Sequence, residues 1–156
     1  LNIESIMIWK PHLTVAAIIK QDNRFLMVEE LVQGERYLNQ PAGHLEENES
    51  LTAAVIRETL EETAWHFQPE FIVGIYRWRN PRQPSATYIR VAFSGAVADH
   101  EPDRTLDQEI LRTLWLPQEE IRNPRNSLRS PLVIRALDDY LAGAQYPLAL
   151  HTDLDD

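Results

Sequence analysis

Glu49, Arg57, Glu58, Glu61 and Glu62 fall within one short stretch of this chain, and their types and spacing suit the capture of a hard cation. On an α-helix each residue advances ~100° about the axis, which sets Glu61 roughly 60° to one side of Glu58 and Glu62 roughly 40° to the other. Three carboxylates then share an arc of about 100°, one turn apart. Like charges at this spacing repel by roughly a few tenths of a kcal/mol even on an exposed helix, and more where they are buried. A divalent ion would cancel that repulsion and offer a seat for phosphate oxygens. Arg57 is the internal counter-ion: it stands one turn before Glu61 and can reach back to Glu49, bracing the preceding loop against the helix. A Glu-x-x-Glu-Glu run is also a common solvated helix face. What singles this one out is the company of Gly43, Glu49 and Arg57 at fixed offsets.

The elements that must hold these residues are legible on either side. Leu51, Ala54, Val55 and the methyl of Thr59 fall on one helical side, with Arg57, Glu58, Glu61 and Glu62 largely on another, which predicts an amphipathic helix of about four turns from Ser50. Glu46, Glu47 and Glu49 lie near its positive end. Upstream, residues 13–20 and 24–29 read as a hairpin around a polar turn, and 37–40 as a short extended piece stopped by Pro41. Downstream, 71–78, 87–97 and 111–116 read as strands and 118–122 as a helical turn. Residues 130–141 predict a second helix, with Pro131 in its first turn and Gly143 just past its end. Strand pairs mixed with two helices predict one α/β domain over residues 7–143. Residues 144–156 lack a clear period and read as a frayed tail.

Composition narrows the class. The 156 residues carry 44% hydrophobic and 25% charged side chains, enough for one substantial core. No apolar run approaches the ~20 residues of a membrane-spanning helix, and residues 1–9 lack the pattern of a signal peptide. Met7 is a candidate start, residues 1–6 then being an upstream extension. The absence of cysteine excludes disulfides, thiolate zinc sites and thiol catalysis, and fits a cytoplasmic protein. Twenty-four acids against fifteen Lys plus Arg give a net charge of −9, a poor footprint for stable nucleic-acid binding. An acidic protein that handles phosphates needs cations as intermediaries.

Gly43, five residues, Glu49, seven residues, Arg57-Glu58 and then Glu61-Glu62 resemble the Nudix box, G-x5-E-x7-R-E-U-x-E-E-x-G-U, at every charged position and the first glycine. Two departures stand out: Thr59 occupies an aliphatic position, and Ala64-Trp65 replaces the closing glycine-aliphatic pair. Stretches 10–16, 39–46 and 128–133 are similar to the NudJ-type phosphatase branch, so the likeness runs through most of residues 7–141. The fold implied is an α/β/α sandwich around a mixed β-sheet. The activity implied is metal-dependent hydrolysis of phosphoanhydrides, releasing orthophosphate from nucleoside tri- and diphosphates or from hydroxymethylpyrimidine pyrophosphate. The cofactor implied is magnesium, with manganese as an alternative.

The same resemblance implies roles. Glu58 and Glu62 would be central metal ligands, Glu61 a further ligand or water-positioner, and the backbone carbonyl of Ala42 another oxygen. A distal acid would complete the site as ligand or general base, Glu109 first and Asp107 second. His44 could contact phosphate or pack locally. Tyr37, Asn39 and Gln40 could line the pocket or serve the fold. Trp78 could stack on a ring beside Arg77 and Arg79, or sit in the core; Arg129 could reach substrate or support the second helix. Trp9, Trp65 and Trp115 read as packing aromatics. The expected partner is a small nucleotide or pyrophosphate, with no membrane; monomer and homo-oligomer both agree with the sequence. Two other readings are a pyrophosphohydrolase of nucleotide sugars, ADP-ribose or dinucleoside polyphosphates, and a non-catalytic nucleotide-binding module. The presence of all three glutamates argues against the last.

Overall fold

The computed structural model describes residues 7–155, so the reading of residues 1–6 lies outside it. Strand β1 (His12–Gln21) is the spine. Its run from Thr14 to Ile19 is buried throughout, as expected of a strand covered on both faces. It turns into β2 (Arg24–Val32), followed by β3 (Glu35–Asn39) and the short β4 (Ala42–His44). Helix α1 (Leu51–Thr63) leads to the long pair β5 (Trp65–Arg79) and β6 (Thr87–His100). Then come β7 (Ile110–Leu116), the short helix α2 (Gln118–Ile121) and helix α3 (Leu132–Leu141). The sheet is mixed: β6 runs parallel to β1, while β2 and β4 pair with β1, and β5 with β6, in antiparallel fashion.

Alternation along β1 distributes its side chains between two cores. Val15, Ala17 and Ile19 meet Leu26, Phe67 and Phe93 under the Ala54 and Val55 face of α1. Ile18 points the other way, to Phe25, Met27 and the Val133, Ala136 and Leu137 face of α3. One helix on each side of one sheet gives the α/β/α sandwich. No helix among the described residues is long and apolar enough to cross a membrane.

Three expectations need correcting. Trp9 is 64% exposed and packs no core, whereas Trp65 and Trp115 meet edge-to-face, 6.0 Å apart, against the α1 core. The segment after Gly143 carries structure: Tyr146–Pro147 forms β8 against Phe71 and Ile72, and Leu148 packs on the core. Two backbone pairings and one leucine, too little to show as a period, hold it down. The two sides of α1 are also less separate than the helical period implies. Glu58 and Glu62 are 9% and 3% exposed, on the same inward stripe as Ala54, Val55 and Thr59.

Both departures in the box have local explanations. Thr59 is fully buried, and its hydroxyl donates to the Val55 carbonyl at 2.8 Å, which satisfies the polar atom inside the helix. Ala64 ends the helix in the left-handed conformation, φ 62°, where glycine is usual, and donates its N–H to the Leu60 carbonyl. At the other end Ser50 caps the helix, its hydroxyl accepting from the Ala53 N–H at 3.0 Å. Ser50→Ala should therefore lower stability by about 1 kcal/mol and the melting temperature by roughly 2–4 °C. Thermal denaturation reads this directly; an unchanged melting point would show that the cap contributes nothing.

Candidate metal centre and substrate pocket

The site lies where the sheet forks. β1 and β2 pair only beside their turn, at Lys20↔Phe25 and Gln21↔Arg24. Beyond that β2 turns to β7 and β3, while β1 takes β4 and β6. Thr14 and Glu30, at the open ends of the two strands, border a cavity of about 470 Å³. A bulge against β7 falls at Glu29/Glu30, where β2 turns the Glu30 side chain inward. The chain crosses the fork at Gln40-Pro41, and the Pro41 carbonyl accepts from the Ala17 N–H at 2.9 Å.

Helix α1 presents its acids to this cavity. Arg57 organises the loop before them: Nε and Nη2 grip both oxygens of Glu49 at 2.9 and 2.6 Å, and Nη2 also donates to the His44 carbonyl at 3.0 Å. Nη1 donates to Glu58 at 2.8 Å and to Glu61 at 3.1 Å. Glu49 in turn accepts from the Glu46 N–H, so loop and helix form one hydrogen-bonded body. Gly43 permits a close approach, because a Cβ there would overlap the Glu58 carboxylate and push it from this position. Glu62 accepts from the Ala42 N–H at 2.8 Å.

The distal acids arrive on a loop tied down at both ends. The Asp107 N–H donates to the Glu61 carbonyl at 3.0 Å, and the Glu109 carbonyl accepts from the Leu31 N–H at 2.8 Å. Two sets of acids result, each with oxygens within 4.8 Å of one another: Glu58, Glu61 and Asp107, and Glu62, Asp107 and Glu109. Asp107 belongs to both. These are oxygen donors only, the chemistry of a Mg²⁺ or Mn²⁺ site, and they could hold such an ion without rearrangement of the backbone. Crowding shows in their acidities. Burial above all pushes Glu62 up to about 9; the Ala42 N–H opposes this, while Glu30, Glu58 and Asp107 add to it. Burial likewise lifts Glu58 to about 7 against the pull of Arg57. Asp107 is raised by burial, then by Glu61 and Glu109.

Asn39, His44, Trp78 and Arg129 border the same cavity. Asn39 Nδ2 donates to Glu30 at 3.2 Å, and Arg129 Nε stands 3.4 Å from the same carboxylate. Arg129 is set by its backbone, whose N–H bonds the Leu38 carbonyl of β3. Its guanidinium also lies over Tyr37, 5.9 Å from the ring centre. Tyr37 belongs to an adjoining cleft of about 320 Å³ that shares Trp78 and Arg129. His44 meets His12 ring to ring, Nε2 to Nδ1 at 3.0 Å, and His12 stacks on Tyr88. Gln40 is turned to the fold, donating to the Val133 carbonyl. Sequence reasoning missed Glu30, Tyr88 and Arg90. The available signal was a charge inside an apolar strand run, as in Tyr88-Ile89-Arg90-Val91-Ala92.

The raised acidities set a pH dependence. Glu58 and Glu62 hold their protons to higher pH when folded than the ordinary 4.5 of an unfolded chain. The stabilisation from protonation is complete below that value and is lost as pH rises through about 7 and about 9. Metal-free protein should therefore melt progressively lower from about pH 5 to about pH 9, with the upper part of the fall absent in Glu62→Gln. A divalent cation held by these acids would displace the protons, so the melting-point gain on adding Mg²⁺ should grow across the same window. A metal-free melting point flat over that range would contradict this account.

Comparison with known proteins agrees with the geometry. The family model described as NUDIX domain matches residues 10–137. Phosphatase NudJ of Escherichia coli (strain K12) is 37% identical over 145 residues, 93% of each chain. A NUDIX hydrolase from Nitrosomonas europaea superposes with a TM-score of 0.90 at 47% identity, covering 94% of this chain and 99% of the other. A UDP-X diphosphatase shares the fold with a TM-score of 0.72 at 21% identity, over 90% of this chain and 68% of its own. With its box, its sandwich and its clustered carboxylates accounted for, this chain belongs to the Nudix hydrolase family.

Proposed function

We propose that this Nudix hydrolase cuts phosphoanhydride bonds in nucleoside tri- and diphosphates and in small pyrophosphates such as hydroxymethylpyrimidine pyrophosphate, releasing orthophosphate with Mg²⁺ as cofactor. The observation that carries this is the pair of carboxylate sets sharing Asp107 at the mouth of one cavity. That arrangement would suit two cations, which can together stabilise the attacking and leaving oxygens of an in-line displacement at phosphorus. Release of orthophosphate is supported by the likeness to phosphatase NudJ over nearly the whole of both chains.

The residues divide the work as follows. Glu58, Glu61 and Asp107 would hold one cation, and Glu62 with Asp107 a second, the Ala42 carbonyl adding an oxygen. Glu109, exposed at the rim, takes the proton of the attacking water. The new P–O bond forms as the anhydride P–O bond breaks, and the leaving phosphate carries away the electron pair. When bound, Mg²⁺ offsets the negative charge that builds on the oxygens and acidifies water. Arg57 touches none of the reacting atoms; it fixes Glu58 and Glu61 relative to the loop. Trp78 and Arg129 flank the passage into the adjoining cleft, where Tyr37 completes a surface for a flat ring.

Glu62→Gln tests the assignment, because glutamine keeps the Ala42 hydrogen bond and removes the charge. Turnover with Mg²⁺ and a nucleoside triphosphate should fall by roughly a hundredfold or more, with metal-free stability retained. Undiminished turnover would remove Glu62 from the site. Product analysis of the parent should give orthophosphate and nucleoside diphosphate; pyrophosphate and a monophosphate would overturn the choice of bond.

A further inference from the structure

Arg90 is a buried cation with nothing to bind. It sits on β6 opposite Thr14 of β1, and it is 6% exposed. Among the described residues it forms no ion pair within 4.0 Å, and its Nε and Nη1 have no hydrogen-bond partner. The neighbouring arginines differ. Arg57 engages three carboxylates and a carbonyl within 3.1 Å. Glu30, the acid that acts most strongly on Arg90, is occupied by Asn39 and Arg129. Burial pulls Arg90 down to about 10, which leaves it a cation at neutral pH. An unpaired buried charge is strongly destabilising, and a fold that keeps one has left a position for a ligand to fill.

We propose that Arg90 is a substrate-binding residue whose guanidinium, on the sheet side of the cavity, takes phosphoryl oxygens while the carboxylates of α1 hold the cations. This rests on the phosphoanhydride reading of the same site. Arg90 borders the cavity that those carboxylates border, and so does Arg129, a second guanidinium. The planar fork of an arginine matches two phosphate oxygens, and its orphaned donors are aligned before the ligand arrives. A polyphosphate would then be gripped from two sides, through cations at the helix and directly at the sheet. A ring carbonyl could offer the same kind of acceptor oxygen, so the test must tell the two sources apart.

The probe is methylenediphosphonate, a non-hydrolysable pyrophosphate analogue without a ring, titrated in Mg²⁺ against parent, Arg90→Met and Arg90→Lys; guanosine, with a ring and no phosphate, is titrated in parallel. Arg90→Met should bind the diphosphonate roughly 10–100-fold more weakly, with Arg90→Lys between the two and guanosine affinity unchanged. Metal-free Arg90→Met should melt at the parent temperature or above, since an orphaned charge has been replaced by an apolar chain of similar length. Its Mn²⁺ affinity without probe should be equal or greater, because a nearby positive charge is gone. Diphosphonate affinity equal to the parent's, or a loss confined to guanosine, would overturn the proposal. So would a lower melting point together with weaker Mn²⁺ binding, which would make Arg90 a support for Glu30 and Glu62. Absence of phosphate release by the parent, with the diphosphonate loss intact, would sink the proposed reaction and leave this subsite standing.

Discussion

Two carboxylates driven into the protein interior against the backbone of Ala42 and Gly43 are the constraint around which the rest is arranged. Glu58 fills the space a side chain at position 43 would need, and Glu62 takes the Ala42 N–H. Neither arrangement favours the metal-free fold, because burial makes both groups hold protons that water would otherwise remove. The acids remain buried because Arg57, anchored twice on Glu49, ties their helix to the loop that carries Gly43. Stability is thus spent on geometry, the common pattern where charged groups must be in place before a ligand arrives.

The fork in the sheet gives this arrangement its room. Had β1 and β2 stayed paired along their length, the same register would set Thr14 against Leu31 and Val15 against Glu30, and the cavity would close. Instead the strands separate after two residue pairs, and β4, α1 and the loop bearing Asp107 gather around the opening. The loop is held by backbone hydrogen bonds to α1 at one end and β2 at the other. Its acids are therefore placed by the same elements that place the box.

Much of this was legible in the residues alone. The spacing of Gly43, Glu49, Arg57, Glu58, Glu61 and Glu62 pointed to both the helix and its bracing, and the Arg57–Glu49 contact is the one that spacing suggests. Strand and helix positions followed from period and from Pro41, Pro131 and Gly143. Inward burial of Glu58 and Glu62 was hidden, since a helical wheel tells which residues share a side but not which side meets a backbone. Asp107 ranked behind Glu109 because sequence cannot show that its peptide reaches Glu61. Trp9 misled through its size, and β8 escaped because two paired residues leave no periodic trace. Arg90 and Glu30 were visible only as charges out of place in apolar strands, a signal that gains meaning once the cavity between them is known.

The parallel pairing of β1 with β6 sets an order of assembly. A strand beginning at His12 finds its parallel partner only when the chain has been made as far as Tyr88 and beyond. The hairpin of β1 and β2, and α1 with its internal ion pairs, involve nearer neighbours and can form earlier on the ribosome. The acids of the helix therefore exist as a local unit before the wall carrying Arg90 docks opposite Thr14. A nascent chain cut short before β6 would possess the box and lack the chamber, so the stretch from Thr87 onward decides when the enzyme comes into being.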